Sequence, residues 1–117
     1  MELKISSQSH ADCVTVTVRG EIDLYTAPQL RSEFVHALDD GAHRLIVDMS
    51  RVEFCDSTGL NVLLSAMKRS REKGGDLILV APNSAVTKLL EVTGLDSVFT
   101  IHESTEALSA AGSNASR

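Results

Sequence analysis

Residues 44 to 64 read Arg-Leu-Ile-Val-Asp-Met-Ser-Arg-Val-Glu-Phe-Cys-Asp-Ser-Thr-Gly-Leu-Asn-Val-Leu-Leu. Leu45 to Val47 is a short apolar run rich in β-branched residues, which predicts a buried strand. From Asp56-Ser57-Thr58-Gly59 onward the period changes. Leu60, Leu63, Leu64 and Met67 recur at helical spacing on one face. A strand therefore feeds a loop, and the loop ends at a helix that begins around Ser57. A hydroxyl placed there sits among unpaired backbone N–H groups at the positive end of the helix dipole. It can act as a helix cap, since Asp, Ser and Thr are the preferred caps. It can also accept a phosphate, because a helix N-terminus tolerates an anion. Local chemistry alone favours the cap.

Working outward toward the N-terminus, Leu3 to Ser7 has weak strand character and His10-Ala11-Asp12 reads as a turn. Cys13 to Arg19 alternates, with Val14, Val16 and Val18 on one face and Thr15 and Thr17 on the other. The two segments predict an antiparallel hairpin at a sheet edge. Gly20-Glu21-Ile22-Asp23 reads as a loop. Thr26 reads as an N-cap, with Gln29 completing a capping box and Pro28 in the first turn. Leu30, Phe34, Ala37 and Leu38 form the apolar stripe of this helix, and Gly41 ends it.

Toward the C-terminus, Lys68, Arg69, Arg71 and Lys73 crowd the end of the second helix. There they complement its dipole, or they offer a patch to an acidic partner. Gly74-Gly75 stops the helix, and Leu77 to Val80 reads as a buried strand. Ser84 is the expected cap of a third helix bearing Val86, Leu89 and Leu90, which ends at Thr93-Gly94. Val98 to Ile101 is the expected last strand. Ser104 is the expected cap of a short helix through Ala107 and Leu108. Residues 1–111 read as one domain and 112–117 as a frayed polar tail. The order β-β-α-β-α-β-α-β-α predicts an α/β fold. Its sheet is mixed and mostly parallel, with an antiparallel N-terminal strand and helices packed against it. The strands near Leu45, Leu77 and Val98 alternate poorly, which predicts that both sheet faces are covered.

Composition narrows the function. A chain of 117 residues forms one domain with a real core. A net charge of −5 argues against non-specific nucleic-acid binding. With no Trp, one Tyr and three Phe, the stacking platforms of single-strand binders are missing. No apolar leader or membrane-spanning run is present, so a cytoplasmic chain without a membrane partner is expected. Cys13 and Cys55 lack metal-ligand spacing. Cys55 lies near a helix N-terminus that can stabilise a thiolate. A small buried apolar residue is the favoured reading.

Enzyme chemistry fits poorly. Cys55-Asp56-Ser57-Thr58-Gly59 misses the nucleophile elbow by having Cys where Gly is required. A serine nucleophile needs a base. His36 falls in the first helix, and His43 falls at the N-terminal edge of the central strand, opposite Ser57. His10 and His102 are less well placed by this argument. No phosphate-cradling loop, dinucleotide fingerprint or zinc signature appears, so no cofactor is implied. A binding module fits better. The loop Asp23-Leu24-Tyr25-Thr26 and the Asp56-Ser57 turn both follow strands and can emerge at one sheet edge.

Four segments carry a resemblance: Gly20-Glu21-Ile22-Asp23, Phe54-Cys55-Asp56-Ser57-Thr58-Gly59-Leu60, Gly74-Gly75, and Val92-Thr93-Gly94-Leu95. In this order and spacing the chain resembles the STAS fold of the bacterial anti-sigma-factor antagonists. Each segment is weak alone, and the set is specific. The resemblance implies a protein that binds an anti-sigma factor of the GHKL serine-kinase type and so frees a sigma factor. It implies phosphorylation of Ser57 by that kinase, with Thr58 as the less favoured neighbour, and reversal by a PP2C-type phosphatase. Asp23 and Asp56 would border the docking surface, with Tyr25, Thr26, Thr58 and Asn61 among the partner-facing residues. The alternatives are a STAS subunit of a transporter or signalling scaffold that is not phosphorylated, and a small serine hydrolase.

Overall fold

The computed structural model describes residues 2–104. The chain runs β1 (Leu3–His10), β2 (Cys13–Ile22), α1 (Ala27–Asp39), β3 (Arg44–Cys55), α2 (Ser57–Glu72), β4 (Asp76–Val80), α3 (Ser84–Val92), a 3-10 turn (Leu95–Ser97) and β5 (Thr100–His102). The five strands lie in sequence order across one sheet. β1 pairs antiparallel to β2, and every later pairing is parallel. This is the α/β architecture expected from the alternation of strands and helices. The short helix expected after Ser104 and the tail at 112–117 lie outside the described residues.

One apolar core holds the elements together. β2 turns Val14, Val16 and Val18 inward, and β3 turns Leu45, Val47 and Met49 the same way. Against them pack Leu30, Phe34 and Leu38 of α1, Leu60, Leu63 and Met67 of α2, and Val86 and Leu90 of α3. The expectation that both sheet faces are covered holds only for β4, where Leu77 through Val80 are all buried. In β2 and β3 the outward residues Thr15, Thr17, Ile46 and Asp48 are half-buried. Strand pairing there leaves one face without a full apolar cover, so the burial pattern alternates.

Several boundaries differ from the sequence reading. β2 continues through Gly20 to Ile22, which was expected to be loop, because its partner β3 also continues, to Cys55. Two register shifts accompany this extension, one between Thr17 and Arg19 and one between Gly20 and Glu21. In both, β3 carries one residue more than β2, the mark of a β-bulge. The expected loop before α2 therefore shrinks to Asp56. The last strand begins at Thr100 rather than Val98, since Leu95–Ser97 forms a helical turn.

Caps also move. Thr26 makes no side-chain cap to α1, and Gln29 donates to the Leu3 carbonyl instead of closing a capping box (3.2 Å). Asn83, not Ser84, caps α3 by accepting from the Val86 N–H at 2.9 Å. The basic end of α2 is spent on neighbouring elements. Arg69 pairs with Asp39 of α1 at 3.0 Å, Arg71 pairs with Asp76 of β4 at 2.9 Å, and Lys73 donates to the Leu38 carbonyl. Gly75 lies where the chain reaches β4, and a Cβ there would stand 1.8 Å from the His43 carbonyl oxygen. Only glycine permits that backbone approach.

Candidate functional site

Ile22 and Cys55 are register partners at the C-terminal ends of β2 and β3. One residue beyond, the Asp56 N–H donates to the Ile22 carbonyl at 3.0 Å. This bond fixes the start of α2 beside the start of the Asp23–Thr26 loop, so the two segments meet at one rim as the parallel order predicts. Gly59 tightens the junction. A Cβ on it would come within 2.4 Å of Ile22 Cγ2 and 2.9 Å of Cys55 Sγ.

At this rim Asp56 is the cap of α2. Its backbone is extended, and its carboxylate accepts from the Gly59 N–H at 3.0 Å. The capping role weighed for Ser57 thus belongs to its neighbour. Ser57 is the first helical residue, it is exposed, and its hydroxyl has no partner among the described residues. Asn61 stands one turn further along and is also exposed. Thr58 is half-buried.

The Asp23–Thr26 loop is built around two side chains. Asp23 Oδ1 accepts from the N–H groups of Tyr25 (2.9 Å) and Thr26 (3.0 Å). The hydroxyl of Thr26 accepts from the Asp23 N–H (2.9 Å) and donates to the Glu21 carbonyl (2.7 Å). The Thr26 N–H, with help from that of Tyr25, holds the Asp23 carboxyl below the ordinary carboxylate range. Thr26 is 7% exposed, so its hydroxyl belongs to the loop and is closed to a partner. The loop instead projects Leu24, 63% exposed, and Tyr25, 88% exposed.

Phe54 adds a third exposed apolar group, 47% exposed, next to Cys55 in sequence. Leu24 and Phe54 escaped the sequence-based site. Strict alternation from buried Val52 would send Phe54 into the core. The second bulge in β3 inserts Glu53, pairs Phe54 with Glu21, and turns its ring outward. Cys55 is buried as expected. Desolvation, reinforced by the Asp56 carboxylate, pushes its thiol up to about 12, so it is not a reactive thiolate.

No histidine reaches Ser57. His10 pairs with Cys13 and His43 lies 3.8 Å from Asp12, both at the opposite edge of the sheet. His102 is level with Val80, which is level with Asp48. At about 3.3 Å per residue, Cys55 lies roughly 20 Å further along β3. His36 lies in the last turn of α1, whose first turn is the one at the rim. No described helix is long and apolar enough to cross a membrane.

Residues 4–108 match the STAS domain family model. The chain belongs to the STAS domain family. It is 31% identical over 106 residues to the anti-sigma-B factor antagonist of Staphylococcus epidermidis, spanning 91% of this chain and 98% of that one. Among solved structures, an anti-sigma factor antagonist from Mycobacterium paratuberculosis superposes with a TM-score of 0.82 at 31% identity, covering 93% of each chain. The unphosphorylated form of the anti-sigma factor antagonist SpoIIAA superposes at 0.79 with 22% identity, covering 94% of this STAS chain and 97% of its own. At that identity the likeness speaks for the fold.

Proposed function

We infer that this STAS protein is an anti-sigma-factor antagonist. In its unmodified state it binds an anti-sigma factor of the GHKL serine-kinase type. Phosphorylation of Ser57 by that kinase ends the binding, and a PP2C-type phosphatase restores it. The antagonist relatives support the role. The observation that carries the switch is the exposed hydroxyl of Ser57, unpartnered among the described residues, beside a rim bearing Leu24, Tyr25 and Phe54.

The chemistry follows from who does the capping. Asp56 occupies the Gly59 N–H, so a kinase can take the Ser57 hydroxyl without uncapping α2. A phosphate adds about −1.5 to −2 charge, which a helix N-terminus tolerates. The adjacent Asp56 carboxylate opposes it, and a partner covering Asp23 and Asp56 meets a sharply more negative surface. An apolar anchor formed by Tyr25, Leu24 and Phe54 supplies docking area, while the charge at Ser57 controls it. A loss of about 1.4 kcal/mol already weakens binding tenfold.

The experiment is capture of the cognate anti-sigma factor by wild type, Ser57→Ala and Ser57→Asp, with incubation of each in kinase and ATP. Ser57→Ala is expected to bind and resist phosphorylation, and Ser57→Asp to bind at least about tenfold more weakly. Equal affinity of Ser57→Ala and Ser57→Asp, or phosphate transfer to Ser57→Ala, would remove the switch.

A further inference from the structure

Away from the rim, on the sheet face opposite the core, three cations stand in one row. Lys4 of β1 is the register partner of Arg19 of β2, and Arg19 is the register partner of Arg51 of β3. Register partners point to the same face, and all three side chains are exposed. None of them forms an ion pair among the described residues. Like charges directly opposite across strands are destabilising. Here two such pairs share one residue.

The row is a product of the first bulge. Between Thr17 and Arg19, β2 advances two residues while β3 advances three, from Asp48 to Arg51. Without the extra residue Arg51 would turn inward and Val52 outward. Bulges re-aim side chains in this way. One row along the strands the Asp48 carboxylate lines the same groove, and Glu53 lines the adjoining one with Arg19 and Arg51; among the described residues neither pairs with a cation of the row. Asp48 turns to Ser50. Its Oδ1 accepts from the Ser50 hydroxyl at 2.7 Å and the Ser50 N–H at 3.0 Å.

We propose that this row is a binding site for a small ligand carrying several linked phosphate groups. Strands are spaced about 4.8 Å apart, so three in a row span roughly 10 Å, which suits a short chain of anionic groups better than one. Guanidinium forks match phosphate oxygens. The hydroxyls of Ser6 and Thr17 stand in the next row along the same face, level with Asp48, and have no partner among the described residues. The groove is shallow and its lining mostly polar, with Ile5 as its apolar member, and it lacks the apolar cluster that anchors a protein partner.

The test titrates the whole protein with tripolyphosphate at low ionic strength, following backbone amides and thermal unfolding. Saturable shifts are expected at Lys4, Thr17, Arg19 and Arg51, with affinity falling at least about tenfold in Arg51→Gln and in Arg19→Gln. In the anion-free protein Arg51→Gln is expected to raise Tm, and tripolyphosphate to raise the Tm of wild type only. Three results overturn the proposal: undiminished affinity in both variants, shifts spread over Lys68 and Lys88 instead of the row, or a lowered Tm for anion-free Arg51→Gln. Equally tight binding of a glutamate-rich peptide overturns the assignment to phosphate.

Discussion

Gly59 shows how much one residue can decide. Helix propensity favours Ala over Gly in a helix by about 1 kcal/mol. The space does not allow it, because an added Cβ would meet Ile22 Cγ2 at 2.4 Å and Cys55 Sγ at 2.9 Å. Overpacking of this kind costs about 1–3 kcal/mol. Gly59→Ala is therefore expected to lower Tm. A Tm equal to or above that of wild type would show that the junction of β2, β3 and α2 is looser than described. Cys55 beside it is a packing residue with a thiol raised to about 12 by burial and by Asp56. Its helix-terminal position suggested a reactive thiolate as one reading, and burial overrode that. The exposed hydroxyl of Ser57, two residues on, was legible as a candidate from the Asp-Ser-Thr-Gly string. That Asp56, rather than Ser57, does the capping depends on backbone angles the string does not specify.

At the scale of the element, α2 links stability to the proposed switch. Asp56 both caps the helix and places a charge on the rim. The two roles separate cleanly, since Asn caps as well as Asp does. Asp56→Ala is expected to cost about 1 kcal/mol in denaturant unfolding, and Asp56→Asn only a few tenths. If both cost the same, the bond to Gly59 contributes little. The Asp23–Thr26 loop is a second such element. Thr26 was read as a cap and a partner contact, yet its hydroxyl bridges Glu21 and Asp23. Thr26→Val leaves the Asp23 N–H and Glu21 carbonyl without that partner, at an expected cost of about 1–3 kcal/mol. An unchanged unfolding midpoint would mean that the loop re-forms its bonds another way.

Over the whole molecule, the C-terminal half is tied together through Asp76. Its carboxylate accepts from Arg71 of α2 at 2.9 Å and from the Thr100 hydroxyl of β5 at 2.6 Å, while Arg71 also donates to the Val98 carbonyl at 2.8 Å. Burial pushes this carboxyl up, but the bonds from Thr100, Arg71 and the Leu77 N–H outweigh it and leave it below its ordinary 3.8. A depressed native value means that the unfolded chain takes up a proton first as pH falls. The stabilisation from Asp76 is thus complete well above pH 3.8 and is lost below it, through the depressed native value. Acid unfolding of Asp76→Asn is expected to be less steep in that window than that of wild type. Parallel curves would rule out this linkage.

Local sequence determined the element types, the antiparallel start and parallel continuation of the sheet, and the apolar stripes of the three helices. These depend on side-chain period and on turn residues, both of which are short-range. It also singled out Ser57 and brought the Asp23 loop to the same edge, because strand direction fixes where loops emerge. Tertiary structure alone decided the rest. Strand pairing extended β2 and β3 beyond their apolar cores and placed two bulges in β3. One bulge exposes Phe54 at the rim, and the other lines up Lys4, Arg19 and Arg51. A bulge is a mismatch between two strands, so neither strand's sequence records it, and every side chain beyond it changes face.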